Sequence, residues 1–116
     1  MKKIWTILII ISAIILIILA IYGIPKLSCK LRGGEWETMG TLRIKECNLP
    51  TSDADKECSS SNECEGSCIA ILSKEDYNKA INGTVYTKGK CTAWEIIVGC
   101  QAFVENGEVN GILCID

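Results

Sequence analysis

Residues 4–24 read IWTILIIISAIILIILAIYGI, a run of 21 in which only Thr6, Ser12 and Gly23 are not hydrophobic and eleven are isoleucine. At ~1.5 Å rise per residue this makes a helix of ~31 Å, matched to a bilayer hydrocarbon core of ~30 Å. Trp5 and Tyr22 stand near its two ends, where amphipathic rings settle at headgroup level. Pro25 is expected to stop the helix. Residues 1–25 therefore read as an N-terminal transmembrane anchor or uncleaved signal anchor, with residues 4–24 in contact with the lipid bilayer. Residues 26–116 read as a separate extracytoplasmic domain.

Two other readings of this segment are open. A cleaved signal peptide has a basic start, which Lys2 and Lys3 supply, but its apolar region is normally ~7–15 residues before a small-x-small site. This run is longer, and Tyr22-Gly23-Ile24-Pro25 is a poor cleavage site. Leu27-Ser28-Cys29 resembles the end of a lipobox, but Lys26 stands where an apolar residue belongs. Lipidation of Cys29 would also leave an odd number of cysteines. The anchor is the favoured reading.

Outward from the run, the composition changes. Residues 28–116 hold 36 hydrophobic residues in 89, and all eight cysteines are among them: Cys29, Cys47, Cys58, Cys64, Cys68, Cys91, Cys100 and Cys114. All fourteen acidic residues lie here with nine basic ones, a net charge of −5 against −2 for the whole chain. Acidic character of this size favours solubility and argues against nucleic acid, whose binders carry a basic stripe.

One cysteine in eleven residues is the density of a small scaffold without a sufficient apolar core. Zinc is the rival explanation, but structural sites use paired C-x₂₋₄-C ligands, often with histidine. Only Cys64-x₃-Cys68 has that spacing, no C-x-x-C occurs, and the chain has no histidine. Disulfides formed in an oxidising compartment fit better. Positive charge hardly orients the anchor, since Lys2 and Lys3 face Lys26, Lys30 and Arg32. The cysteines decide: N-terminus cytoplasmic, C-terminal domain extracytoplasmic, with a secreted form as the alternative.

Eight cysteines allow 105 connectivities, and sequence alone does not choose among them. Residues 33–37 and 41–44 alternate on either side of Gly40 as a hairpin would, which carries Cys29 towards Cys47. Residues 102–104 and 109–113 flank Asn106-Gly107, a strong hairpin signal, and folding there brings Cys100 close to Cys114. Cys58–Cys68 with Cys64–Cys91 completes one candidate set, interlocked as in many small extracellular modules.

Between these hairpins, residues 55–65 hold almost no apolar side chains other than cysteine and read as a loop held by bridges. Residues 68–72 form a short apolar run, expected as a strand. Ser73-Lys74-Glu75-Asp76 reads as an N-cap with an acidic first turn. It opens a helix of one to two turns that places Tyr77, Ala80 and Ile81 on one face and ends at Asn82-Gly83. Residues 84–87 and 91–98 look like a further hairpin about Lys88-Gly89-Lys90. The expected fold is small, disulfide-rich and mainly β, built of hairpins with one short helix, on a single N-terminal transmembrane α-helix.

Few constellations carry chemistry. Asp53-x-Asp55-x-Glu57 resembles the opening of a calcium loop. Cysteines occupy the positions that need a turn glycine and a bidentate glutamate (Cys58 and Cys64), so a solvated acidic loop is the stronger reading. Trp36 and Trp94 are the largest apolar side chains beyond the anchor. They are expected to centre the core, with contact to a protein partner as the second possibility. Residues 96–98 read as a buried strand. Asn82-Gly83-Thr84 has the form of an N-glycosylation acceptor. Serine nucleophiles lack a histidine base and bridged cysteines carry no thiolate, so an enzyme is not expected, nor is a cofactor.

Cys29-x₃-Gly33-Gly34-x-Trp36, Glu46-Cys47-Asn48-Leu49-Pro50 and Asp53-x₄-Cys58-x₅-Cys64-x-Gly66-x-Cys68, continued by Gly89-x-Cys91, Gly99-Cys100 and Cys114-x-Asp116, resemble a group of small cysteine-rich secreted or envelope-anchored prokaryotic proteins. The resemblance implies location and disulfide architecture, and no activity. The Cys58 to Cys68 segment is also similar to parts of whey-acidic-type inhibitors and dickkopf-type modules. It lacks the adjacent cysteine pair of the former, so inhibition does not carry over. The leading expectation is a membrane-anchored interaction or structural module. The alternatives are a secreted inhibitor or toxin-like effector released by cleavage near residues 23–28, and an envelope thiol–disulfide protein.

Overall fold

The computed structural model describes residues 1–41 and 43–115. Asp116, the last residue of the motif quoted above, and Leu42, in the first hairpin, lie outside the described residues. The apolar run forms α1 (Lys2–Ile18), a π-helical turn (Leu19–Gly23) and α2 (Ile24–Leu31), continuous over 30 residues or about 45 Å. No residue of α1 is buried, so its apolar surface packs on nothing among the described residues.

Pro25 does not end this helix. It lies in the first turn of α2 and has no N–H to return to the preceding turn. The wider i→i+5 turn just before it takes up the mismatch, and the helix resumes. The expected boundary at residue 25 is therefore not a break in secondary structure. The helix ends at Arg32 and Gly33, where Gly33 takes φ 76°.

The head that follows is a set of short antiparallel pairings. β1 (Glu35–Met39) and β2 (Ile44–Asn48) form the first hairpin, with Trp36 opposite Cys47 and Gly40 at φ 69° in the turn. β6 (Gly89–Cys91) is the middle strand of a three-stranded sheet between β3 (Glu57–Cys58) and β4 (Cys68–Ile69). β5 (Thr84–Tyr86) pairs with β8 (Glu108–Asn110), and β7 (Gly99–Gln101) pairs with β9 (Leu113–Ile115). The one helix of the head is α3 (Lys74–Asn82). Its Ser73 side chain accepts from the Asp76 N–H at 3.1 Å, satisfying an orphan donor of the first turn.

Several expectations change. Residues 84–87 and 91–98 do not form a hairpin: β5 goes to β8 and β6 to β3 and β4. Residues 55–65 are not all loop, since β3 lies within them, and the strand expected over 68–72 is only two residues long. Asn106 and Gly107 do turn the chain, at φ 54° and 79°, but only Glu105 and Glu108 pair directly across the turn. The arms separate to reach β4 and β5 and meet again at β7 and β9. In α3 only Ala80 of the three face residues is buried, and Tyr77 and Ile81 are exposed.

The core is built from Cys58, Cys68 and Cys91 with Ala80, Ala102, Val104 and Val109. Trp36 and Trp94 are half-buried and do not centre it. Short strands leave only a thin interior, which cystines and small side chains fill and an indole would overfill. Residues 96–98 form no strand: Ile96 and Ile97 are half-buried, and Val98 is exposed.

Candidate functional site

Four bridges organise the head: Cys29–Cys47, Cys58–Cys68, Cys64–Cys91 and Cys100–Cys114. Cys29 lies in the last turn of α2 and is buried, so the first bridge ties the apolar helix directly to β2. Gly34 makes this closure possible. A Cβ there would stand 2.8 Å from the Cys47 sulfur, 2.9 Å from the Cys29 sulfur and 2.9 Å from the Asn48 carbonyl oxygen. Beside the junction, Lys26, Lys30, Gly34, Glu35, Trp36 and Glu37 line an open pocket.

The middle two bridges lie against each other. The sulfurs of Cys58, Cys64 and Cys91 are within 4.8 Å of one another, the one convergence of potential metal ligands among the described residues. All three are spent in disulfides, and a metal needs thiolates. Cys58–Cys68 joins the outer strands β3 and β4 across β6, passing the position of Gly89. Cys64–Cys91 ties the loop before β4 to the end of β6.

The segment after β6 is held by the chain between the first hairpin and β3. The Thr51 N–H donates to the Ala93 carbonyl and the Glu95 N–H to the Leu49 carbonyl, each at 3.0 Å, and Pro50 bridges Trp94. Asn48, buried at the end of β2, donates to the Ile96 carbonyl at 2.9 Å and accepts from the Ile96 N–H at 3.0 Å. One amide thus satisfies both backbone groups of a residue that has no strand partner. Asn48→Ala is expected to destabilise the head by about 1–3 kcal/mol, because it leaves the part-buried N–H and carbonyl of Ile96 unpaired. Guanidinium unfolding of the purified chain measures this, and an unchanged midpoint would refute it.

The three carboxylates read as a calcium candidate are not brought together. Asp53 accepts from the Glu65 N–H at 3.0 Å, Asp55 is exposed at φ 65°, and Glu57 pairs with Lys88 at 2.6 Å. The acidic residues instead act as local caps. Glu65 accepts from the Ser52 N–H and hydroxyl, both at 2.6 Å, and these bonds hold its carboxyl below the usual range. The hydroxyl of Ser60, with Ser61 beside it, does the same for Glu105. Lys88 is held above its usual value by Glu57.

An open groove of about 380 Å³ runs between the first hairpin and the last sheet, lined by residues 37–41, Val98, Gly99 and Ile115. Ile44, Glu46 and Ile96 extend it. Sequence reading missed this groove, since it joins segments far apart in the chain and has no motif. Trp36 and Trp94, the two candidate partner contacts, stand at different places: Trp36 beside α2, and Trp94 against Pro50.

The chain matches no protein-family model, and no curated protein or solved structure is significantly similar to it. A small cysteine-rich head, closed by four disulfides and carried on an N-terminal apolar helix, fits an extracytoplasmic module.

Proposed function

We propose that this protein is a non-enzymatic, single-pass module that holds a disulfide-built head at an outer membrane face, where it serves as a structural or protein-binding element. The observation that carries the reading is the Cys29–Cys47 bridge at the end of an uninterrupted helix. The bridge fastens the last turn of that helix to β2, and the helix upstream of it has the length and apolarity of a bilayer span. The side chains of α1 find no partner in the head, and lipid along residues 4–24 is the cover that their composition calls for. Lys2 and Lys3 then stay in the cytoplasm and the bridged domain lies outside.

Recognition in this reading is by surface rather than by chemistry. The half-buried Trp36 and Trp94 each present part of an indole, a side chain enriched where partners bind tightly. The experiment is membrane fractionation of cells making a C-terminally tagged chain. Full-length protein that resists carbonate extraction, and that crosslinks in the cell to another protein, is the expected result. A culture-supernatant form beginning near Leu27 would instead establish the secreted effector, and recovery of only free monomer would remove the binding role.

A further inference from the structure

The four bridges are not equally protected. Cys29–Cys47, Cys58–Cys68 and Cys64–Cys91 each contain at least one residue exposed by no more than 3%: Cys29, Cys58 and Cys68, and Cys91. In Cys100–Cys114 both residues are exposed. These two are direct opposites in the β7–β9 pair, three residues long on each strand, and β9 has no other strand beside it. Thiol–disulfide exchange needs a thiolate to reach a bridging sulfur, so access ranks the four bridges.

We propose that Cys100–Cys114 is a thiol-exchange site, the bridge that a protein dithiol outside the cytoplasm opens while the other three stay closed. This goes beyond the anchored-module reading and depends on it only for where the natural reductant is found. One thiolate of the dithiol attacks a bridging sulfur, forms a mixed disulfide with that cysteine and expels the other cysteine as a thiolate. The second thiol of the reductant, as thiolate, attacks its own sulfur in the mixed disulfide and releases the remaining cysteine. The dithiol loses two electrons and becomes a disulfide, and the two cysteines take up two protons. The protein is the substrate of the exchange.

Opening this bridge leaves β9 held by one short ladder. Ile115, a wall of the groove beside the first hairpin, is then free to leave. The exchange thus couples a redox event to the shape of the groove between the first hairpin and the last sheet.

The test uses the full chain in detergent micelles, dithiothreitol as the dithiol and N-ethylmaleimide as the label, read by intact mass and peptide mapping. The first species to accumulate should carry two labels, on Cys100 and Cys114, at least tenfold faster than any other pair. Hydrogen exchange in residues 112–115 should rise by tenfold or more in that species. First labelling at any other pair, or opening of all eight cysteines in one step, overturns the proposal. Unchanged exchange in residues 112–115 overturns the coupling to the groove. Cys100→Ser with Cys114→Ser should abolish the early two-label species, and the mapping on the unaltered chain decides the matter if this variant does not fold.

Discussion

The double substitution Cys58→Ala, Cys68→Ala is expected to abolish cooperative unfolding of the head at ambient temperature. The bridge joins residues 10 apart, and a loop of that size restricts the unfolded chain by about 3 kcal/mol. The same sulfurs are also core atoms. Cys68 is fully buried and Cys58 nearly so, in a cluster with Cys91, Ala80, Ala102, Val104 and Val109 against which Cys64, Ala70, Leu72, Val85 and Ile112 pack. Replacing two sulfurs by hydrogens therefore opens a void at the centre of a small interior. A domain of this size has roughly 5–10 kcal/mol in all, so a loss of about 3 kcal/mol plus the void leaves little folded population. Near-UV circular dichroism through a guanidinium titration reads the result. A sigmoidal transition at the parent midpoint would show that the apolar contacts alone suffice.

The second large effect is expected at Gly89. A methyl there would meet the Ile69 carbonyl oxygen at 2.7 Å, the Cys68 sulfur at 2.8 Å and a Val104 methyl at 2.8 Å. Two of these neighbours cannot yield easily, since one is backbone in the adjacent strand and another belongs to the bridge that crosses β6. Overpacking of this kind costs about 1–3 kcal/mol, and more where nothing can shift. Gly89→Ala should accordingly lower the unfolding midpoint strongly. Gly83→Ala is the matched control, because its added methyl meets only the Lys79 carbonyl oxygen at 3.5 Å. Equal midpoints for the two variants would place the close approach at Gly89 in error.

Local signals in the sequence carried well where the structure is local. The apolar run is helical, Ser73 caps α3, and the turns at Gly40 and Asn106-Gly107 take the positive φ angles that glycine and asparagine allow. The bridge partners named from hairpin closure are also those the structure joins, since Cys100 and Cys114 fall opposite each other once the chain reverses. Long-range pairing was not legible. Residues 84–86 pair with β8 rather than with the nearer residues 91–98, and β6, which ends at Cys91, is paired on both edges by β3 and β4. Strands of two or three residues have too little periodicity to announce themselves. The tryptophans misled for a related reason. Size argued for burial, but a core made of cystines and small side chains has no room for an indole.

The continuous helix and the Cys29–Cys47 bridge together make the residue count of the helix an angular setting. Only Arg32, Gly33 and Gly34 lie between α2 and β1, and the bridge fastens the helix end to β2. One residue added within Lys2–Leu31 therefore rotates the head by about 100° about the helix axis relative to the start of the helix and advances it by about 1.5 Å. The direction in which Trp36 and the groove point is thus dialled by chain length. A deletion or insertion that keeps the segment equally apolar would still re-aim the whole head.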